Sequence, residues 1–144
     1  MNDVVDLIDS NKPGVTDLDI KSAEAQLAVV FPIQYKELFK LSNNAQIGEW
    51  TLFPIKDPKN LMRTWDDIVR QNQEVRDEGM EDGFMSIGED GSGDKLCLKV
   101  VNGKMKDEIY LWNHETTEVE KIATNLKEFI INNAEDLDEE FDDE

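Results

Sequence analysis

The sequence predicts an α+β fold in which one antiparallel sheet carries helices on one of its faces. Three observations lead there. Apolar residues recur at helical spacing from residue 16 to about residue 41, and again from about 59 to 78. Four short β-rich runs then follow one another between 84 and 123, separated by polar turns. A last helical pattern closes the chain, so the strands are grouped and alternating βα units are absent.

Thr16 is a favoured N-cap with Asp19 three residues on, and Ile20, Ala23 and Leu27 repeat behind it. This predicts a first helix ending near Phe31. Pro32 disfavours helical geometry at Phe31 and can open a second helix, whose Tyr35, Leu38 and Phe39 make one apolar stripe. Asn43, Asn44 and Gly48 supply stop and turn signals, after which Trp50 to Ile55 reads as a short edge strand punctuated by Pro54. Leu61, Trp65, Ile68, Val69, Asn72 and Val75 keep a period near 3.6, so residues from about 59 to 78 are expected to form a long amphipathic helix with Trp65 in the core.

Beyond Gly79 and Gly83 the runs FMSI at 84–87, KLCLKVV at 95–101, EIYLW at 108–112 and EVEKIA at 118–123 are joined by GEDGSGD, NGKMKD and NHETT. Tight polar turns between β-rich runs are the signature of an antiparallel meander. Thr124 is expected to cap a final helix with Leu126, Phe129, Ile130 and Ala134 facing inward. Trp50 and Trp112 are placed in the core, although a strand has two faces and one can open to a partner.

With 144 residues the chain has the size of one domain. We place that domain at 1–134, followed by an acidic tail at 135–144, because EDLDEEFDDE holds eight of the thirty-three carboxylates. The formal net charge is −18, and −10 persists without the tail. Such a charge repels phosphate backbones and attracts basic protein surfaces, which argues against direct nucleic-acid binding. The longest apolar run, Leu27 to Ile33, is broken by Pro32 and is far shorter than the roughly 18 residues of a membrane span. The start MNDVVDLIDS lacks the basic and apolar pattern of a secretory signal, and a single cysteine permits no internal disulfide, so a cytoplasmic location is expected.

Asp90, Ser92 and Asp94 alternate like the first ligands of a calcium loop, but the sixth and twelfth positions hold Lys95 and Val101 instead of glycine and glutamate. A hairpin turn explains the segment better. His114 and Cys97 are each the only residue of their type, so the usual zinc ligand set cannot be assembled, and no cofactor is expected. Cys97 lies between Leu96 and Leu98 in a strand, where a small packing residue is expected rather than a nucleophile. No catalytic residue is assigned.

Ala23-Glu24, Leu27, FPIQYKELFKLSNNA at 31–45, LFPI at 52–55, FMSIGEDGSGDKLCL at 84–98 and EIYLWNHE at 108–115 occur in an order that resembles the SUKH superfamily over about residues 16–131. That superfamily includes fungal cell-wall-assembly (glucan synthesis) regulators and many bacterial immunity proteins. The resemblance implies a sheet backed by helices, no catalytic residues, and a role in binding another protein. Family members usually carry glycine where Asn43-Asn44-Ala45 stands here, and asparagine tolerates the same left-handed geometry. The resemblance leaves two readings open. One is an immunity protein that neutralises a cognate toxin with a basic nuclease domain, and the other is an intracellular regulator or scaffold like the fungal members. For partner contacts the sequence suggests Glu81, Asp82, Glu89, Asp90, Asp94 and Glu115, in or beside turns, with Trp112 as an aromatic anchor.

Overall fold

Thr16 opens helix α1, Asp17–Leu27, with a reciprocal cap: its side chain accepts the Asp19 N–H, and the Asp19 carboxylate accepts the Thr16 N–H. These features belong to a computed structural model that describes residues 7–8, 13–59, 61–62, 64–77, 80 and 83–133. The helix stops at Leu27, four residues before the expected end. Ala28 adopts a left-handed conformation (φ 57°) and Val29 N–H reaches back to Glu24 O, closing the helix without a glycine. Val30 then forms a single parallel bridge to Lys104.

Helix α2, Ile33–Leu41, starts at Pro32 as expected. The corner between the helices is locked by Glu24, whose carboxylate accepts the Phe31 N–H at 2.8 Å and pairs with Lys36 at 3.6 Å. Phe31, Tyr35 and Phe39 form a buried aromatic trio with centroids 4.5 to 5.9 Å apart. Asn44 has φ 75°, so an asparagine does take the left-handed position after α2.

Six strands follow: β1 Gln46–Ile47, β2 Trp50–Leu52, β3 Phe84–Glu89, β4 Lys95–Val101, β5 Lys104–Trp112 and β6 Val119–Ala123. Each pairs antiparallel with its sequence neighbour, giving the order β1-β2-β3-β4-β5-β6. The fold class is therefore as the sequence predicts. The Trp50 segment is not an edge, however, because the two-residue β1 pairs outside it. The β3–β4 register shifts between Ser86 and Gly88, and a Cβ on Gly88 would meet Thr51 O at 2.8 Å, so only glycine lets β2 approach.

Helix α3 covers Ile68–Asp77 only. The helix expected from about residue 59 does not form that early: the described residues from 58 to 66 form turns, and Trp65 is 60 % exposed rather than buried. Asp67, a favoured cap residue, stands just before α3. Inside α3, Asn72 is buried and clamps β3: its side chain accepts Ser86 N–H at 2.7 Å and donates to Ser86 O at 2.9 Å. Phe53 N–H bonds to Ile87 O, and beyond that point Asn72 takes the positions a strand would fill. Asn43 does the same for Ile55, binding both its N–H and its C=O at 2.8 Å.

The main core joins Met85, Ile87, Leu96, Leu98 and Ile109 to Ile20, Leu38 and Phe129. Phe129 lies in a fourth helix, α4, at residues 126–133, with Leu126 and Ile130 buried as expected. Its cap is one residue later than expected, because Asn125 Oδ1, not Thr124, accepts the Glu128 N–H. The helices do not all share one face. Phe84, Cys97 and Trp112 point to the opposite face, where Val75 of α3 and Met80 close a second cluster. The tail at 135–144 lies outside the described residues.

Candidate interaction surface

Antiparallel pairing brings three turns to one end of the sheet: Gly48–Glu49 between β1 and β2, 90–94 between β3 and β4, and 113–118 between β5 and β6. Four of the residues singled out from the sequence meet here. Asp90 accepts the Ser92 N–H at 2.9 Å and the Ser92 hydroxyl at 2.7 Å, which builds the first bend of the turn. Asp94 accepts the His114 backbone N–H at 3.1 Å and lies 2.7 Å from His114 Nδ1, tying the 90–94 turn to the β5–β6 turn. His114 Nε2 in turn lies 3.9 Å from a Glu115 oxygen.

Gly93 makes this contact possible. Its φ of 112° suits glycine, and a Cβ would stand 3.0 to 3.2 Å from the His114 ring. The Gly-Ser-Gly-Asp and Asn-His-Glu motifs therefore serve one structural purpose, a clamp across four strands. Glu89 is less available to a partner than its turn position implied, for its carboxylate pairs at 2.7 Å with Lys95, whose residue is buried. Glu115 is the open member, with a side chain 80 % exposed.

Glu81 and Asp82 lie outside the described residues. Trp112 does not fit the role of aromatic anchor: it is 1 % exposed and enclosed with Cys97 and Val75 in the second cluster. A ring so enclosed offers no face to a partner. Conversely, sequence reasoning missed Leu61, Met62 and Trp65 as surface residues, which are 52, 94 and 60 % exposed. Their apolar spacing imitated a helix, and the only opposing signal was the Asp66-Asp67 start.

Cys97 is buried opposite Tyr110, with Sγ 3.8 Å from Tyr110 O. At about 3.3 Å per residue, four positions along β5 place it roughly 13 Å from His114. That spacing assembles no nucleophile and base. Among the described residues no three His, Cys, Asp or Glu side chains are arranged to hold a metal ion, and no helix is long and apolar enough to cross a membrane. The cleft between α1 and the 56–67 segment holds about 140 Å³, below the roughly 300 Å³ of ordinary ligand pockets.

The hydrogen bond from His114 holds the Asp94 carboxyl below its ordinary value of 3.8. A lowered folded pKa means the clamp stabilises the fold above pH 3.8 and loses that contribution as the pH falls through the folded value. Asp94→Asn should therefore be less stable than wild type at neutral pH, with the difference shrinking in acid. Urea melts at pH 7 and pH 3 decide this, and a pH-independent difference would exclude the mechanism.

No curated protein matches the chain. A family model does, over residues 1–135. The clamp between the two turns, the Glu24 corner and the six-strand meander occupy that span, and the chain belongs to the family described as SUKH_5, SMI1-KNR4 cell-wall.

Proposed function

We propose that this chain is a cytoplasmic, non-enzymatic binding protein that neutralises a cognate protein toxin, one with a basic nuclease domain, by covering its active cleft. The observation that carries this reading is the clustering of Asp90, Asp94 and Glu115 on turns held at one sheet end, in a chain of net charge −18. An enzyme that grips phosphates displays a basic cleft, and a carboxylate-bearing surface of set geometry complements it.

The test is to express the toxin domain encoded beside this chain's gene with and without the protein, then with Glu115→Lys and Asp90→Lys. Survival with the wild type and slower association of the variants are expected. Raising ionic strength from about 0.05 to 0.5 M shortens the screening length from roughly 14 Å to about 4 Å, so association should slow while dissociation changes less. Equal killing with and without the protein, together with no complex, would sink the reading. The cell-wall wording of the family description favours a second reading, an intracellular regulator or scaffold. Absence of an adjacent toxin gene, together with several partners in a pull-down, would favour it.

A further inference from the structure

Between Ile55 and Ile68 the usual partition of side chains is inverted. The polar Asp57, Thr64 and Asp67 are buried, while the apolar Leu61, Met62 and Trp65 are exposed. The base of the segment is tied: Asp57 N–H donates to Thr64 Oγ1 at 3.0 Å, and the Asp57 carboxylate accepts the Lys59 N–H at 3.0 Å. Ile68 N–H binds Pro54 O at 2.8 Å, closing the segment at its far end. The indole of Trp65 is itself held, with Arg70 5.1 Å and Lys56 5.8 Å from its centroid. Arg70 is steadied by Asp66 at 3.4 Å and Glu74 at 3.7 Å, two carboxylates whose side chains are 65 and 55 % exposed.

An exposed tryptophan forgoes the stabilisation that burying it would give, and orienting it with two cations and two carboxylates serves no purpose in the core. Trp, Met and Arg are the residues that binding interfaces favour at their centres, with a polar rim around them. We propose that Trp65, with Leu61 and Met62, is the apolar anchor by which this chain seats in a pocket on a basic protein partner. This rests on the toxin-neutralising reading and names the contact surface within it.

Charge complementarity selects the occupant. At the rim Asp66 and Glu74 are balanced by Arg70 and Lys56, so it is the chain's −18 that suits a cationic protein and opposes anionic lipid or phosphate. A second copy would bring the same −18, and three side chains expose on the order of a few hundred Å², short of the roughly 800 Å² per partner of a stable dimer. Thr51, five residues before Lys56, pairs with Glu89 beside the acidic turn, which ties the start of this segment to the same sheet end. The acidic turns then steer the encounter, and the anchor sets how long the complex lasts.

The experiment measures binding of the adjacent toxin domain, made catalytically inert, to wild type, Trp65→Ala and Met62→Ser. Trp65→Ala should weaken the complex at least about 30-fold, mainly through faster dissociation that persists at high salt. Its melting temperature should fall by only a few degrees, because the residue is mostly exposed and its cation contacts are weak at an exposed site. Trp50 and Trp112 are buried, so the long-wavelength tryptophan emission belongs to Trp65 and should shift to shorter wavelength in the complex. Wild-type binding that is unchanged in Trp65→Ala overturns the anchor and leaves the toxin reading standing. No complex with wild type overturns both. Concentration-dependent dimerisation abolished by Trp65→Ala, or Trp65-dependent binding to phosphatidylglycerol vesicles, would assign the surface to another occupant and overturn the proposal.

Discussion

Replacing Asn72 with alanine is expected to lower the unfolding free energy by about 2 to 5 kcal/mol, although no hydrophobic contact of consequence is lost. Asn72 holds both backbone groups of Ser86, a residue with no exposed surface, and also donates to Ile68 O at 2.9 Å. Its removal strands a buried N–H and a buried C=O, each costing roughly 1 to 3 kcal/mol. Asn72→Asp should rescue little, because it keeps the acceptor for Ser86 N–H but sets a carboxylate oxygen against two carbonyls. Gln73→Ala, one position away and exposed, is the control and should be near neutral. Urea denaturation of the three variants is the measurement, and a loss below about 0.5 kcal/mol for Asn72→Ala would refute the clamp.

Tyr35 gives the second large effect and a sharper contrast. The residue is 1 % exposed, flanked by Phe31 at 5.2 Å and Phe39 at 4.5 Å, and its hydroxyl has no hydrogen-bond partner among the described residues. Tyr35→Ala should cost about 3 to 5 kcal/mol by opening the aromatic trio. Tyr35→Phe should match wild type or exceed it by about 1 kcal/mol, since it removes an unpaired hydroxyl. Burial also pushes the phenol pKa up. A raised folded value means the contribution is intact below pH 10.0 and is lost as the unfolded chain ionises above it, so Tyr35→Phe should flatten that alkaline decline. Destabilisation of Tyr35→Phe by more than about 1 kcal/mol at pH 7 would show that the hydroxyl is partnered.

The meander was legible because its signals were strong and local. Polar turns punctuate it, and the run KLCLKVV matches β4 residue for residue. The helical corner was equally clear, since Thr16 and Pro32 act through their own backbones and side chains. The end of α1 was not legible: Ala28 takes a conformation that alanine rarely adopts, and bonds to Val30 from 103 and 105 hold the following chain away from the helix. The start of α3 was misread for a different reason. Leu61 and Trp65 stand at helical spacing ahead of Ile68, and the Asp57–Thr64 and Ile68–Pro54 bonds, which local pattern does not announce, separate the segment from the helix. The misplaced Trp65 is where local pattern and actual burial disagree, the kind of conflict expected at a functional position. The acidic turns were found as turns, but their carboxylates' internal duties were hidden, because Asp94 meets His114 twenty residues away.

The borders of the sheet bear on self-association. One border is β1, two residues long, which offers too little backbone to template another strand. The other is β6, where Glu118, Glu120 and Lys121 are exposed around Val119. A second chain adding there would have to bring its own dense negative charge alongside these groups. The fold thus guards against fibril-like stacking at high expression, and it directs recognition to side chains on turns and loops instead of to an unpaired strand.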